Sequence, residues 1–364
     1  MDTSFLTGVI FFFAFGGLVF IHEFGHFITA RLLRVEVEEF GFGLPPRALI
    51  LFRWKGTAFT LNWLPIGGFV RPKGENDPNV PGGLAASSPW IRLAVLMAGP
   101  FMNLIAAVFI YSLIFARIGI PDVNRVLVSS VGENTPAQQG GLQEGDIFVS
   151  GNSQPIQSYA DLRAVIESNI DQPVNFIVDR SGEKLEFTVT PQMNAEAQRV
   201  MIGVGLGNPF TAAKTWFETL PLSVETTYYA IDALVSLPAK LIRGDISSNE
   251  GRVIGLKGIY DILERSVSHD VQASEAPASS SPIDQPVRTL DLIASLTISL
   301  GVFNLFPFPA LDGGRIIFVL PELILRRRVP HQFENLVHGI GMALLILLMV
   351  YVNLMDFIRP VSLP

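Results

Sequence analysis

The stretch that most constrains this chain is an uncharged run of apolar residues that ends in an H-E-x-x-H motif. Between Phe5 and Ile21 there is no charged side chain, and about 20 apolar residues suffice to cross a bilayer as a helix. The motif residues His22, Glu23 and His26 follow at the end of this run. Ionisable side chains at membrane depth are costly unless they pair or bind something, so these three are candidates for a functional site.

The spacing of the two histidines suits a shared metal ion. On a helix His22 and His26 lie one turn apart on one face, about 6 Å along the axis. Glu23 stands beside the first of them, where a carboxylate can take a proton from a water that the metal activates. The motif also occurs by chance in chains of this length, and its place at the end of an apolar segment is what favours a metal site.

The composition indicates a membrane protein and excludes some kinds of site. Hydrophobic residues make up 49% of the 364 residues and charged residues only 16%. The formal net charge of −7 argues against nucleic acid as a partner. The chain has no cysteine, so any metal site must use His, Asp or Glu.

Four segments, at about 5 to 33, 92 to 117, 290 to 311 and 334 to 356, are long and apolar enough to span a membrane. We therefore expect a polytopic α-helical membrane protein with four transmembrane helices. The loop after the first segment and the loop after the third carry most of the nearby basic residues. By the positive-inside rule both loops face the cytoplasm, both termini lie outside, and the histidine motif lies toward the cytoplasmic side.

Residues 36 to 73 predict a small β-sheet. Ala58 to Leu64 is typical of a strand, and glycines and prolines surround it. The apolar content favours a sheet that re-enters the membrane against the helices. A soluble cytoplasmic hairpin is the alternative.

The largest soluble region lies between the second and third apolar segments. Strand-like runs alternate with one helical stretch, Tyr159 to Ser168, between about 126 and 206. The segment from Gly141 to Ile147 looks like the signature of a PDZ domain. Such a domain can take a peptide by strand addition, or serve as a steric gate or an inert packing unit.

Residues 210 to 265 read as helices interrupted at Pro221, Pro238 and Gly244. They would lie on the outer membrane face or pack against the PDZ unit. The stretch from Ser268 to Pro286, rich in Ser, Ala and Pro, predicts a flexible linker.

The third metal ligand is predicted at Asp312. Two prolines, Pro307 and Pro309, break the third apolar segment, and two glycines follow Asp312. Unwound backbone there can turn the carboxylate inward. The alternative is a helix N-cap for the segment after Gly313. The remaining histidines are less suited, because His331 and His338 read as interfacial or structural and His269 falls in the predicted linker.

These motifs together resemble the site-2 protease family of intramembrane zinc metalloproteases, and within it the bacterial regulators of sigma-E protease. The resemblance rests on the first apolar segment with its H-E-x-x-H, the PDZ-like insertion and the segment from Asn304 to Gly314. It implies zinc as cofactor, with His22, His26 and Asp312 as ligands and Glu23 as the catalytic base.

The resemblance also implies further site residues and a place in the cell. Asn304 matches a residue that holds substrate, and we expect Asn103, Pro307 and Pro309 to take part in substrate binding. The implied location is the bacterial inner membrane, with the PDZ domain outside. The segment Gly255 to Ile259 resembles a Gly-Pro-x-Gly-Ile motif with Leu256 in place of proline. Enterobacterial members of that family carry tandem PDZ domains, whereas this chain has room for one.

The function expected from the residues and the resemblance is peptide-bond hydrolysis in or near transmembrane segments. Its substrates would be single-pass membrane proteins already shortened outside the membrane, for example an anti-sigma factor or signal-peptide remnants. A silent, metal-stabilised scaffold that binds client peptides is the alternative, and the presence of Glu23 argues against it. An ion transporter would require a second broken helix or an internal repeat, which the sequence lacks.

The predicted domain organisation follows from these assignments. It runs as 1–34 (first transmembrane helix), 35–89 (β element and loop), 90–118 (second helix), 119–207 (PDZ domain), 208–287 (helical region and linker), 288–330 (third helix and loop) and 331–364 (fourth helix and tail).

Overall fold

A computed structural model describes residues 3–194, 199–213, 215–244, 253–275 and 285–358. The chain divides into two compact units. We call Met1–Ile114 with Trp216–Pro364 the membrane unit, and Phe115–Thr215 the inserted unit. The predicted PDZ region, 119–207, falls within the inserted unit.

The elements follow one another along the chain in this order: α1 Thr3–Leu32, β1 Val37–Trp54, β2 Thr57–Pro72, α2 Pro89–Ile118, β3 Ile120–Pro121, β4 Val126–Val131, α3 Pro136–Gln139, β5 Ile147–Gly151, β6 Gln154–Pro155, α4 Tyr159–Glu167, β7 Val174–Arg180, β8 Glu183–Val189, β9 Gln192–Asn194, β10 Arg199–Met201, β11 Val204–Gly207, β12 Phe210–Thr211, a 3-10 helix Trp216–Thr219, α5 Leu220–Arg243, α6 Leu256–Glu275, α7 Arg288–Leu305, α8 Asp312–Leu325 and α9 His331–Ile358.

Four helices of the membrane unit are long and apolar enough to cross a bilayer within the described part of the chain. They are α1, α2, α7 and α9, so each of the four predicted segments is confirmed as such a helix. Many of their large apolar side chains are exposed, including Phe13 on α1 and Leu347 on α9. An exposed apolar surface of this extent is expected where the surrounding solvent is lipid. The predicted orientation of the termini stays a prediction.

The third apolar helix ends earlier than its sequence pattern predicts. Helix α7 stops at Leu305, not at residue 311, because Pro307 and Pro309 cannot continue the backbone hydrogen bonding. A new helix, α8, then begins at Asp312. Its first turn is packed tightly, since a Cβ added at Gly313 would lie 2.2 Å from the Phe306 carbonyl oxygen. Only glycine fits at that approach.

The predicted β element is a sheet packed against α1. The first half of β1 pairs with both halves of β2: Phe40 has partners at Phe59 and at Val70. Residues 58 to 61 are therefore enclosed between two halves of β1, whereas residues 68 to 72 form an edge of the sheet. Phe40 of β1 and Phe27 of α1 belong to one buried cluster. This cluster packs the sheet against the helix that carries the histidines.

The inserted unit is a sheet with two short helices. Its six-stranded sheet has the order β11-β4-β5-β7-β8, with β6 paired to β5. The predicted strands and the predicted helix α4 are present, and α4 begins at the N-cap Ser158. Fourteen buried residues, among them Phe148, Phe176 and Leu162, form the core of the unit. Its assignment as a PDZ domain stays a prediction.

Two expectations for the later region are wrong. Pro221 and Pro238 do not interrupt the helix, because Pro221 stands in its first turn and α5 continues through Pro238 to a left-handed cap at Gly244. The predicted linker starts too early, since residues 268 to 275, including His269, belong to α6. Residues 276–284 of that linker lie outside the described residues.

Candidate metal centre

Three predicted ligands meet at one point of the membrane unit. His22 and His26 lie one turn apart on α1, and Asp312 is the first residue of α8. Nε2 of His22 lies 3.1 Å from Oδ2 of Asp312 and 3.2 Å from Nε2 of His26, and the third side of this triangle measures 3.4 Å. Both histidines are buried, each 7% exposed. Within the described residues this is the one group of three that could hold a metal ion.

The dimensions of this triangle fit a zinc ion. Ligand atoms about 2.0–2.1 Å from a tetrahedral ion are about 3.3 Å from one another, close to the three measured separations. Two ring nitrogens and a carboxylate oxygen in such proximity also need a cation or protons between them to offset the repulsion of their lone pairs. The donor set of two imidazoles and one carboxylate is one that zinc uses with a fourth position open.

The protonation of His26 is determined by α2. Nδ1 of His26 lies 2.7 Å from the carbonyl oxygen of Val95. A carbonyl only accepts, so Nδ1 carries the proton and donates. In the neutral ring the lone pair is then on Nε2, which faces Asp312 and His22. The imidazole is thus oriented and held in the tautomer that binds a metal.

A single glycine of α2 provides the room for the site. A Cβ added at Gly99 would lie 2.3 Å from Nε2 of His26 and 2.8 Å from Nε2 of His22. Gly99 follows Val95 by four residues, so both lie on the face of α2 that meets α1. No pattern within the sequence revealed this contact.

Glu23 lies next to the ligands without joining them. Its Oε2 accepts a hydrogen bond of 3.0 Å from the backbone N–H of Val70, on the edge segment of β2. A carboxylate held in this way keeps its other oxygen for a proton. The same contact connects the sheet to the metal motif, because Val70 is a strand residue and Glu23 a helix residue.

The loop that carries Asp312 is supported by α9. The N–H of Ala310 donates to Nδ1 of His338 at 3.0 Å, and Ala310 has a φ of 82°. A Cβ added at Gly341 would lie 2.3 Å from the Cβ of Pro309. His338 is therefore structural, as predicted, and it holds the backbone two residues before Asp312. The predicted alternative for Asp312 is not realised, because the N-cap is Leu311 and the Asp312 carboxylate faces the histidines.

The four residues expected to bind substrate differ in burial and in the groups that they contact. Asn304 is half-buried, and its amide nitrogen donates to the carbonyl of Leu300 within α7. Pro307 is exposed, whereas Pro309 packs against α9. Asn103 is fully buried and its amide nitrogen lies 3.3 Å from Nδ1 of His22. The substrate roles of Asn304, Pro307 and Pro309 stay predictions, and the surroundings of Asn103 point to another role.

Comparison with known proteins gives consistent matches over nearly the whole chain. The family model of peptidase family M50 matches residues 10–348. A relative from Campylobacter jejuni, named putative zinc metalloprotease Cj1068, is 31% identical over 357 residues, covering 94% of this chain and 90% of the relative. The regulator of sigma-W protease RasP from Bacillus subtilis is 26% identical over 436 aligned positions, covering 97% of this chain and 98% of the relative.

Proposed function

The chain belongs to peptidase family M50 and is a zinc metalloprotease, and on that premise we propose that it cleaves peptide bonds within or beside transmembrane segments of membrane proteins. The observation that carries the proposal is the position of His22, His26 and Asp312 on helices that are themselves apolar enough to span a bilayer, or directly joined to one. A peptide bond that reaches these residues therefore has to lie within the bilayer or beside it.

The chemistry divides between the ion and the side chains. A zinc ion held by His22, His26 and Asp312 supplies Lewis acidity, which makes a water more acidic and polarises the scissile carbonyl. Glu23 accepts the proton of the attacking water and returns a proton to the leaving amine. His26 keeps its orientation throughout, because its Nδ1 stays bonded to the Val95 carbonyl.

The edge of the sheet is the surface on which a substrate would be extended. A transmembrane helix hides its backbone in its own hydrogen bonds, so its amide must be unwound before attack. Residues 58 to 61 are paired with β1 on both sides and leave no free edge for an added strand. Residues 68 to 72 pair with β1 on one side only. The N–H of Val70, within this segment, donates to Glu23. We therefore assign strand addition to this edge.

The cellular setting that we propose follows from the apolar helices and the relatives. The chain is a membrane protein of the bacterial inner membrane with the metal centre toward the cytoplasmic side. Its inserted unit lies outside and excludes substrates that have not been shortened. Its substrates are single-pass membrane proteins, for example an anti-sigma factor, in keeping with the name of the Bacillus relative, regulator of sigma-W protease.

Two substitutions test the proposal together. Glu23→Gln should bind zinc as the wild type does and lose cleavage of a membrane-embedded model substrate by at least about 100-fold, as expected when a proton-transfer group is removed. Asp312→Asn should lower zinc affinity by about tenfold or more. Zinc content by elemental analysis and cleavage in detergent micelles are the measurements. Persistent cleavage by purified Glu23→Gln protein would refute the role of Glu23.

A further inference from the structure

Asn103 is a buried amide in direct contact with a metal ligand. It lies four residues after Gly99 on α2, it is 0% exposed, and its Nδ2 stands 3.3 Å from Nδ1 of His22. Its Oδ1 is buried and has no hydrogen-bond partner among the described residues. Leaving a buried polar atom unpaired is costly, so this oxygen calls for an explanation.

The tautomer of His22 decides which end of the Asn103 amide should face its ring. With Nδ2 of Asn103 as donor, Nδ1 of His22 is the acceptor, and the ring proton is then on Nε2, which donates to Asp312. That tautomer cannot bind a metal through Nε2. When Nε2 binds zinc the proton is on Nδ1, which then needs an acceptor. A half-turn of the Asn103 amide about χ2 exchanges its two ends and brings Oδ1 to the place facing Nδ1.

Asn103 is fully buried and has no exposed surface for a substrate in this structure. A Cβ added at Gly301 of α7 would lie 3.3 Å from the Cβ of Asn103, so α7 covers the residue. Val95, Gly99 and Asn103 are spaced by four residues along one face of α2. They contact, in turn, Nδ1 of His26, the metal-facing nitrogens and Nδ1 of His22.

We propose that Asn103 is a positioning residue, whose amide oxygen accepts a hydrogen bond from Nδ1–H of His22 and holds Nε2 of that ring ready for zinc. The inference rests on the zinc site of the proposed function and adds the group that selects the tautomer of its first ligand. Partners of this kind typically change metal affinity by about 10–100-fold when removed.

The test compares two replacements of Asn103 by zinc affinity, measured by competition with a chelator in detergent. Asn103→Leu has nearly the same shape and no acceptor, and should weaken zinc binding by about 10–100-fold. Asn103→Asp restores an acceptor and should bind zinc within a few-fold of the wild type. Thr297→Val is the matched control, because Thr297 is equally buried and donates only within α7, and it should leave zinc affinity unchanged.

The outcomes separate this inference from the proposed function. Unchanged zinc affinity in Asn103→Leu, or equal weakening in Asn103→Leu and Asn103→Asp, would overturn the positioning role. A rise in KM of Asn103→Leu at saturating zinc, with zinc affinity retained, would assign the residue to substrate instead. The proposed function fails by a different result, namely a wild type that binds no zinc or cleaves no substrate.

Discussion

At the scale of single residues, the space at the metal centre is set by a missing side chain. Gly99 places bare backbone against both metal-facing nitrogens, and even one methyl group there would come within 2.3 Å of His26. The helices α1 and α2 therefore approach as closely as the ligands require. Close approach of this kind is a use of glycine that does not depend on an unusual φ.

Gly99→Ala is expected to lower zinc affinity by more than about tenfold, because the added Cβ either displaces His26 or separates the two helices. Chelator competition measures the loss. Gly16→Ala is the control, since no atom lies within 4 Å of a Cβ added at Gly16 on α1. Equal zinc affinity in the two variants would show that the helices adjust without cost.

At the scale of elements, the sheet formed by β1 and β2 has a buried carboxylate on one face. Glu39 is 2% exposed and accepts hydrogen bonds from Arg47 Nε at 2.8 Å and from Thr60 at 2.9 Å, while Arg71 lies 3.2 Å away. The hydrogen bond from Arg47 holds the pKa of Glu39 below its ordinary value, although burial acts in the opposite direction. These contacts join the two strands on the side away from the phenylalanine cluster.

The stability of the sheet should therefore depend on pH in the acid range. A lowered pKa means that the ionised form stabilises the fold above the ordinary value of about 4.3, and that this contribution is lost as the pH falls through the lowered pKa. Trp54 and Trp63 lie on the two strands, so a fluorescence titration from pH 6 to acid should show the transition. Glu39→Gln should remove it, and an unchanged titration would contradict the assignment.

At the scale of the whole molecule, the helix that carries Asp312 is fastened by ion pairs to distant parts of the chain. Glu322 of α8 pairs with Arg92 of α2, and Arg315 of α8 pairs with Glu75 in the loop after β2. Arg92 is only 6% exposed. The position of the third metal ligand thus depends on contacts that span 230 and 240 residues of sequence.

Glu322→Gln should destabilise the protein by about 1–3 kcal/mol, because it removes the carboxylate that accepts from the buried guanidinium of Arg92, while Glu334 stays near enough to offset part of that charge. Thermal unfolding in detergent measures the effect. The control is Glu167→Gln, which breaks the exposed pair with Arg163 and should cost less than about 1 kcal/mol. Similar melting temperatures of the two variants would mean that the Arg92 pair does not hold α8.

Much of the architecture could be read from the chain because it depends on local pattern. The apolar runs predict α1, α2, α7 and α9, since about 20 apolar residues admit few structures other than a membrane helix. The prolines at 307 and 309 predict a break, because they cannot continue backbone hydrogen bonding. The boundaries were less accurate: α7 ends at Leu305, and α6 extends through residues assigned to a linker.

The sequence by itself determined the donors of the metal centre, because H-E-x-x-H and the aspartate after the broken helix are local patterns with a chemical meaning. Only the tertiary structure decided how those donors are held. The contacts of Val95 with His26, Gly99 with both histidines, and Asn103 with His22 join residues about 70 to 80 positions apart. Which face of α2 meets α1 follows from the packing of the two helices, and no periodicity within either helix specifies its partner.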